Sequence, residues 1–353
     1  MYVKLWSLPE IESLLRDTPS WTQIGTRPVY RLSEIQGENR CLQLLLALAE
    51  QHSVEIRQFS PSAVYIGSSR GEIVSLAAAF HVWERTGKVL PSLSPDSSMG
   101  TLASQIARYI GISGPAITVS QTCLSGLSAL HTALLHLCAS EGEDTVLFGA
   151  VDAPLTPFFI EAMAALRIYT KEAAFPYVRP GNISRNNTFA LGEGAVLGLL
   201  SRSRISPFKL VELRLYTAPA RAGVSFTAVD TEALATFLSQ LRGDRPDFVL
   251  LHAPGTAQGD AAEWEAVRQV WGEVPVLSIK SRMGHTLGAA PLFSLAAAIF
   301  LFESREWLST PYPTFWEAAR APNRWHEAVI IGLGYGGVMG ALRIQYEPQA
   351  ETH

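Results

Sequence analysis

The sequence predicts an α/β protein built from two related halves, and three observations predict it. Apolar strand-like runs alternate with long apolar helices along most of the chain. A strand, a turn and a strongly apolar helix follow one another once in each half, and each such unit precedes a glycine-punctuated apolar stretch. No linker rich in proline, glycine or serine divides the chain. We therefore expect one compact unit rather than two hinged domains.

The composition indicates a folded protein with a large core. Of the 353 residues, 48% are hydrophobic and only 17% are charged, which is the opposite of a disordered chain. The net charge is −4 and no lysine/arginine block occurs, so nucleic acid is not a predicted partner. The three cysteines (Cys41, Cys123 and Cys138) are too few and too scattered for a disulfide framework or a CxxC metal site. We predict a reduced, cytoplasmic protein without a metal.

The most apolar run of the chain does not predict a membrane protein. Leu287–Phe302 has 16 residues without a charge, whereas a membrane span needs about 20. The first residues contain Glu10, Glu12 and Asp17 and no small-residue cleavage site, so they do not resemble a signal peptide. We interpret Leu287–Phe302 as a buried helix and expect no membrane partner.

In the first half, the repeated unit places a cysteine where a strand meets a helix. The strand is predicted over Ala116–Ser120 and the helix over Leu124–Ala139, with Cys123 in the turn between them. The N–H groups and dipole of a helix start favour a thiolate and can form an oxyanion hole. Position alone leaves a packing role open, because cysteine is among the most buried residue types. Cys41, in a helix predicted over Cys41–Gln51, is assigned such a structural role.

In the second half, the same unit places a histidine. After a strand over Val274–Ile279, His285 precedes the apolar helix Leu287–Phe302. A second histidine, His252, ends the strand Phe248–Leu251 and opens a glycine-rich turn. A helix dipole disfavours the imidazolium, and a neutral imidazole can donate its N–H to an enolate oxygen. From position alone, a structural role is the more common explanation for each histidine.

Glycine-rich stretches follow both units and are predicted as strand pairs, over Phe189–Gly198 and Ile331–Gly340. The first stretch lies further from its helix, which predicts an extra loop over Ile168–Thr188. The run Gly332–Gly337 has no helix after it, and neither GxGxxG after a strand nor a Walker A motif is present. We therefore expect backbone approaching a substrate closely rather than a nucleotide site.

Together these segments resemble the β-ketoacyl synthase family of the thiolase fold, over about Ser60–Tyr346. Five segments in the family's order carry the resemblance: Thr118–Ser125 (TVSQTCLS), Phe189–Ala195 (FALGEGA), His252–Asp260 (HAPGTAQGD), Lys280–Thr286 (KSRMGHT) and Gly334–Gly337 (GYGG). The resemblance implies an α-β-α-β-α layering of two thiolase-like halves. Residues 1–204 would carry the nucleophilic cysteine, and residues 205–353 both catalytic histidines.

The resemblance implies a decarboxylative Claisen condensation in chain elongation. Cys123 would accept an acyl group from a phosphopantetheine thioester on an acyl carrier protein, and no cofactor would be bound. His252 and His285 would assist decarboxylation of a malonyl thioester and stabilise the enolate. That carbanion would attack the acyl-Cys123 thioester and lengthen the chain by two carbons.

The resemblance assigns further roles around these three residues. Lys280 joins the catalytic set, supported by Asp260 and Glu263, and the N–H groups of Cys123 and Tyr335 form the oxyanion hole. Tyr335, with Gly336, stands where the family has a gating aromatic, usually phenylalanine. Thr256 and Gly334 would contact the pantetheine.

Two positions depart from the family pattern. Pro254 replaces a threonine that helps to hold pantetheine, and Arg282 stands where asparagine is usual. The compact chain and the segment Val151–Pro157 resemble synthases of aryl polyene and flexirubin-type pathways, while fatty-acid and polyketide elongation stay open.

The resemblance also implies partners and leaves two alternatives. An acyl carrier protein is expected, and either a homodimer or a heterodimer with a second ketosynthase-like subunit. One alternative is a non-catalytic partner of the chain-length-factor type, although such subunits usually lack the cysteine. The other is an acyltransferase that uses the same cysteine without decarboxylation.

Overall fold

The computed structural model describes residues 1–220, 225–316 and 321–348. Within these ranges the chain forms twelve strands: β1 (Tyr2–Leu8), β2 (Trp21–Ile24), β3 (Arg27–Tyr30), β4 (Val64–Gly67), β5 (Ala116–Val119), β6 (Thr145–Asp152), β7 (Gly194–Ser201), β8 (Phe208–Thr217), β9 (Phe248–Leu250), β10 (Val276–Leu277), β11 (Glu327–Gly334) and β12 (Val338–Tyr346).

The helices of these ranges alternate with the strands, as the sequence predicts. They are α1 (Ile11–Arg16), α2 (Arg40–Gln58), α3 (Ile73–Thr86), α4 (Leu93–Ser97), α5 (Thr101–Ile110), α6 (Ser125–Ala139), α7 (Pro157–Ala165), α8 (Thr231–Ser239), α9 (Ala257–Trp271), α10 (Lys280–Met283) and α11 (Ala290–Ser304). A short 3₁₀ helix over Leu287–Ala289 precedes α11.

Ten strands form one sheet, and its order contains the predicted repeat. The order β5-β4-β6-β7-β1 from the first half is followed by β8-β12-β11-β9-β10 from the second. In each set three parallel strands lie at the outer end and two antiparallel additions at the inner end. The sets meet where Tyr2 of β1 pairs with Lys209 of β8. The division of the chain at residue 204 stays a prediction.

The two central helices, α6 and α11, explain the low charge of the chain. They contact each other, and each also packs on strands of its own half, α6 on β4–β6 and α11 on β9 and β11. The runs Thr122–Ala139 and Leu287–Ser304 are both long and apolar enough to span a membrane, and 56% and 83% of them are buried inside the protein. The predicted buried helix over Leu287–Phe302 is confirmed, although it begins regularly only at Ala290, before Pro291 in its first turn.

Several predicted boundaries are wrong, for local reasons. The first-half strand pair over Phe189–Gly198 is one strand, β7, because residues 189–192 instead bridge to the 3₁₀ region and the N-terminal hairpin. The predicted pair over Ile331–Gly340 is confirmed as β11 and β12. Helix α2 extends to Gln58, and the strand over Val274–Ile279 shrinks to β10, since Pro275 has no N–H for a ladder.

A buried ion pair fixes the segment that leads into β7. Arg40, at the start of α2, donates from Nε to Oε2 of Glu193 at 2.5 Å, and both side chains are fully buried. The N–H of Leu32 donates to Oε1 of the same carboxylate at 2.8 Å. Because removing one member of such a pair leaves a buried charge, the pair holds this segment in one position beside the second half.

Candidate active site

Cys123 lies in a tight turn between β5 and α6, where the sequence predicts it. Thr122 has a positive φ of 50°, a sparsely populated conformation for a threonine. The hydroxyl of Ser125 accepts from the N–H of Gln121 at 2.9 Å and donates to the carbonyl of Thr122 at 2.7 Å. These bonds fold the turn so that the thiol of Cys123, which is 8% exposed, stands at the start of a central helix.

The end of β11 closes on this turn because residue 334 is glycine. A Cβ on Gly334 would lie 2.2 Å from Oγ1 of Thr122, so any side chain here would require the turn or β11 to shift. Gly334 thus brings the following residue, Tyr335, towards the cysteine. This is the close backbone approach that the glycine run predicts, although its contact is the nucleophile turn itself.

The Cys123 thiol is neutral in the resting site. Burial, and then the nearby Asp152 carboxylate, raise its pKa to about 12, against the opposing charges of Lys280 and Arg70. The thiolate expected from a helix start is therefore not present at neutral pH, because desolvation outweighs the dipole.

His252 follows β9 and is held by its main chain. Its N–H donates to Oε1 of Glu263 at 2.7 Å, and the N–H of Ala253 donates to Oε2 at 2.7 Å. The ammonium of Lys280 donates to the carbonyl oxygen of His252. Glu263 and Lys280 thus act on the backbone of the histidine, which accounts for their place in the predicted support.

His285 is also held by its main chain. Its N–H donates to the carbonyl of Ala190 at 2.8 Å, and its carbonyl accepts from Gly192 at 3.2 Å. These partners belong to the segment before β7, so the first half positions a residue of the second. The ring of Phe189 packs edge-on against the imidazole at 5.6 Å.

The two imidazoles pack edge to face, and three of their four ring nitrogens are buried without a partner among the described residues. Their centroids are 5.1 Å apart and their planes cross at 79°. Nδ1 of His252 and both ring nitrogens of His285 are buried and have no hydrogen-bond partner among the described residues. Burial, and then the charge of Lys280, lower both pKa values well below the usual range, so both rings are neutral. Burying a ring nitrogen without a hydrogen-bond partner costs free energy, which indicates that a ligand supplies the missing hydrogen bonds.

The charged support is buried throughout. Desolvation lowers the pKa of Lys280 and raises that of Glu263, since each would otherwise carry a charge in the core. Asp260 accepts from the N–H groups of Gly181 at 2.9 Å and Thr256 at 3.1 Å, and burial raises its pKa to about 7. Asp260 therefore orders the turn that carries Thr256 at the start of α9.

Two backbone donors remain free beside the thiol. In the described part of the chain, the N–H groups of Cys123 and Tyr335 donate to no protein acceptor. The N–H of Gly336, in contrast, donates to the carbonyl of Phe226 at 2.9 Å and is occupied. Burial, and then the proximity of Cys123, raise the pKa of the Tyr335 hydroxyl.

The two departures from the family pattern lie outside this centre. Nη1 of Arg282 donates to the carbonyl of Asp17 at 3.2 Å, at the end of α1. Pro254 lies partly exposed two residues after His252. Across residues 1–220, 225–316 and 321–348, no group of three or more His, Cys, Asp or Glu side chains is arranged to hold a metal ion.

Sequence reasoning missed Asp152, a buried carboxylate that connects the two halves. It accepts from Ser69 at 2.9 Å and Arg70 at 2.9 Å in the first half, and from Gly288 at 2.7 Å in the second. Burial raises its pKa to about 6. Its signal was an acidic residue ending a wholly apolar strand.

Sequence reasoning also missed the apolar wall around the thiol. Cys123 belongs to a buried cluster whose other members come largely from α7 and the loop after it, including Phe159, Ile160 and Met163 of α7; Leu155, just before α7, also belongs to it. Helix α7 is apolar without any catalytic motif, and only its packing against Cys123 distinguishes it from ordinary core.

The chain belongs to the β-ketoacyl synthase family. The family's N-terminal domain matches residues 45–204 and its C-terminal domain matches residues 216–311. The first match contains Cys123, and the second contains His252 and His285. The recognised resemblance is thereby confirmed, and the protein is classed as a condensing acyltransferase.

Individual relatives agree with this family. A relative from Streptomyces virginiae, assigned as polyketide β-ketoacyl synthase 1, is 28% identical over 347 residues, covering 88% of this chain and 82% of that one. The tetracenomycin ketoacyl synthase alpha subunit of Streptomyces glaucescens is 30% identical over 219 residues, covering 58% and 51%.

Solved structures share the whole fold. A type II polyketide ketosynthase, in complex with its acyl carrier protein, has a TM-score of 0.82 at 19% identity, covering 98% of this chain and 99% of that one. The ishigamide ketosynthase/chain length factor has a TM-score of 0.81 at 19% identity, covering 98% of each. The predicted thiolase-like fold is confirmed by these likenesses.

Proposed function

We propose that this protein elongates acyl chains by decarboxylative condensation on Cys123, with malonyl-carrier protein as the extender. One observation carries the proposal: two neutral imidazoles lie 5.1 Å apart, edge to face, in a buried site with a cysteine at a helix start, and three of their nitrogens have no partner among the described residues. Packing alone does not require imidazole N–H groups without acceptors, whereas an enolate oxygen is stabilised by an N–H donor from each ring.

In the first half-reaction, the Cys123 sulfur attacks the thioester carbonyl of an acyl group on phosphopantetheine. The Sγ–C bond forms, the pantetheine S–C bond breaks, and the thiol proton ends on the released pantetheine. The free N–H groups of Cys123 and Tyr335 stabilise the oxyanion, while the neutral thiol keeps the resting site unreactive.

In the second half-reaction, malonyl thioester loses CO₂ and its bonding electrons form an enolate. N–H donors of His252 and His285 bind the enolate oxygen, and the neutral state of both rings avoids protonating its carbon. The carbon then attacks the acyl-Cys123 carbonyl, the Sγ–C bond breaks, and the sulfur regains a proton from solvent. Thr256 and Gly334 are assigned to the pantetheine arm.

The test is intact-mass analysis after incubation with acyl-carrier protein. Wild type is expected to gain one acyl mass and Cys123→Ala none, whereas the exposed Cys138→Ala control keeps the adduct. Malonyl-carrier protein should then release CO₂ and a chain two carbons longer. Absence of any acyl adduct on wild-type Cys123 would refute the proposal. Stimulation of a second synthase without an adduct would favour the chain-length-factor alternative, and an adduct without CO₂ release a non-decarboxylating acyltransferase.

We further propose two macromolecular partners, an acyl carrier protein and a second ketosynthase-like subunit, identical or not. The solved relatives are complexes with a carrier protein or a chain length factor. Strand β5 ends the sheet order and pairs, among the described residues, only with β4, and Ile117 on it is 48% exposed. Exposed apolar edges associate readily, which supports pairing there. A monomeric mass by light scattering, both alone and with a co-expressed subunit, would contradict the dimer.

The cytoplasm is the proposed location. The three cysteines are free thiols, which suits a reducing compartment. Recovery of the protein in a membrane or secreted fraction would contradict this location. Two thiolase-like units over 1–204 and 205–353 are the proposed division of the chain.

A further inference from the structure

Arg70 is an exposed cation beside the thiol that the proposed condensation does not use. It lies in the turn after β4, before α3. Its N–H donates to Oδ1 of Asp152 at 2.9 Å, and Asp152 is fully buried and also bound to Gly288. The backbone of Arg70 is therefore fixed to the floor of the site, whatever its side chain does.

The side chain reaches over the apolar wall of the site. The guanidinium carbon lies 4.9 Å from the centroid of the Phe159 ring, and Phe159 shares the buried cluster of Cys123. A guanidinium stacked on a ring keeps its N–H donors available at its edge. Its charge also reaches the reacting centre, because it opposes the raised pKa values of both Cys123 and Tyr335.

The guanidinium has no acidic partner within the described residues, unlike other arginines nearby in the same half. Arg27 pairs with Glu161 on α7 at 3.2 Å, and Arg179 pairs with Glu172 at 2.9 Å. Those two arginines are matched with carboxylates, whereas the side-chain donors of Arg70 are left for another acceptor. Fixed backbone, a stacked guanidinium and free donors beside a reactive thiol are the features of an oxygen-binding group.

We propose that Arg70 is a specificity-determining residue, which binds a carbonyl or carboxylate oxygen of a thioester substrate that reacts at Cys123. The inference rests on the proposed condensation. It specifies the group on the substrate that Arg70 would recognise, an oxygen of a carbonyl or a carboxylate. Two sources offer that oxygen: a keto group of the acyl chain, or the carboxylate of the malonyl unit. A plain hydrocarbon chain offers none beyond its thioester.

The experiment compares Arg70→Met and Arg70→Lys with wild type. One arm measures the rate at which Cys123 is acylated by 3-oxoacyl and by unsubstituted acyl carrier protein of equal chain length. The other arm measures the KM for malonyl-carrier protein with a preloaded unsubstituted chain. Arg85→Met, at the exposed end of α3, is the matched control, and thermal unfolding checks each variant.

For Arg70→Met we expect either a fall of about tenfold in the rate of 3-oxoacyl loading or a rise of about tenfold in the KM for malonyl-carrier protein. The rate of unsubstituted acyl loading should be unchanged. Arg70→Lys should show a smaller change in the affected quantity, and Arg85→Met should keep the wild-type values of both. A change confined to 3-oxoacyl loading identifies the acyl chain as the source, and one confined to the malonyl KM identifies the extender. Equal losses for all substrates, or none, overturn the inference. A wild type that forms no adduct refutes the proposed function instead.

Discussion

The two halves of the protein use the same strand–turn–helix unit but leave opposite groups free. At Cys123 the backbone N–H has no acceptor among the described residues, and the turn is held by side-chain bonds from Ser125. At His252 and His285 the backbone is fully bonded, and the ring nitrogens are free. Among the described residues, one repeat therefore leaves a backbone donor beside a thiol, and the other leaves ring nitrogens of a histidine without partners.

The connections that follow the units differ as well. In the second half β11 and β12 are joined by the tight turn of residues 335–337. In the first half residues 153–193 separate β6 from β7 and contain α7 and the predicted extra loop. The short turn brings Tyr335 to the thiol, whereas the long connection builds its apolar wall. The surroundings of the thiol are thus shaped by an inserted segment of the first half, whereas the surroundings of the two histidines are shaped by the strands and turns that both halves share.

The largest expected effect separates the roles of the halves. His285→Ala should lower condensation by about 10²–10⁴-fold, because a neutral donor to the enolate is lost. Acylation of Cys123 should stay within a few-fold of wild type, since no imidazole is assigned to that step. Parallel measurement of acyl adduct and CO₂ release checks this, with the exposed His81→Ala as control. An equal loss in both steps would contradict the division of labour.

A smaller effect concerns the carboxylate between the halves. Burial raises the pKa of Asp152 from 3.8 to about 6, so the folded state holds its proton more tightly than the unfolded chain. Its contribution to stability is thus full below about pH 4 and is lost as the pH rises through about 6, amounting to about 3 kcal/mol. The side chain of Asp152→Asn does not titrate, so its contribution to stability does not change with pH.

Denaturant unfolding at several pH values tests this. The stability of Asp152→Asn relative to wild type should rise by up to about 3 kcal/mol between pH 4 and pH 7. Asp96→Asn, on the exterior helix α4, should show no such trend. A difference that is constant with pH would show that the carboxylate is unperturbed.

The smallest expected effect tests the tight approach of the second half to the first. Gly334→Ala places a Cβ 2.2 Å from Oγ1 of Thr122, so the nucleophile turn or β11 must move. Overpacking of this kind costs about 1–3 kcal/mol and should slow acylation of Cys123 together with condensation. Gly100→Ala, whose nearest atom is 3.7 Å away, is the control. Unchanged acylation would indicate that the turn tolerates displacement.

Much of this arrangement follows from the sequence. The repeat, the two buried central helices and the positions of Cys123, His252 and His285 are readable because glycines and apolar periodicity mark turns and helices locally. The insertion after β6 was predicted from spacing alone. The strand pair predicted over Phe189–Gly198 is wrong, since Phe189–Gly192 pairs with distant segments rather than with its neighbours.

The remaining features depend on contacts between distant parts of the chain. Asp152 binds Gly288, 136 residues away, and no local pattern indicates that pairing. The neutral state of Cys123 likewise depends on how deeply the finished fold buries the thiol. Arg70 is an ordinary exposed arginine in the sequence, and only its place over Phe159 distinguishes it.

The bond between Asp152 and Gly288 bears on the order of synthesis. All five strands that the first half gives to the large sheet are made by Ser201, so its part of the sheet can close while the second half is still on the ribosome. Ser69 and Arg70 are then available to the carboxylate at once, but Gly288 emerges only three residues after His285. The bond that joins the halves thus forms only after both histidines have been translated, and a truncated chain would carry its nucleophile without them.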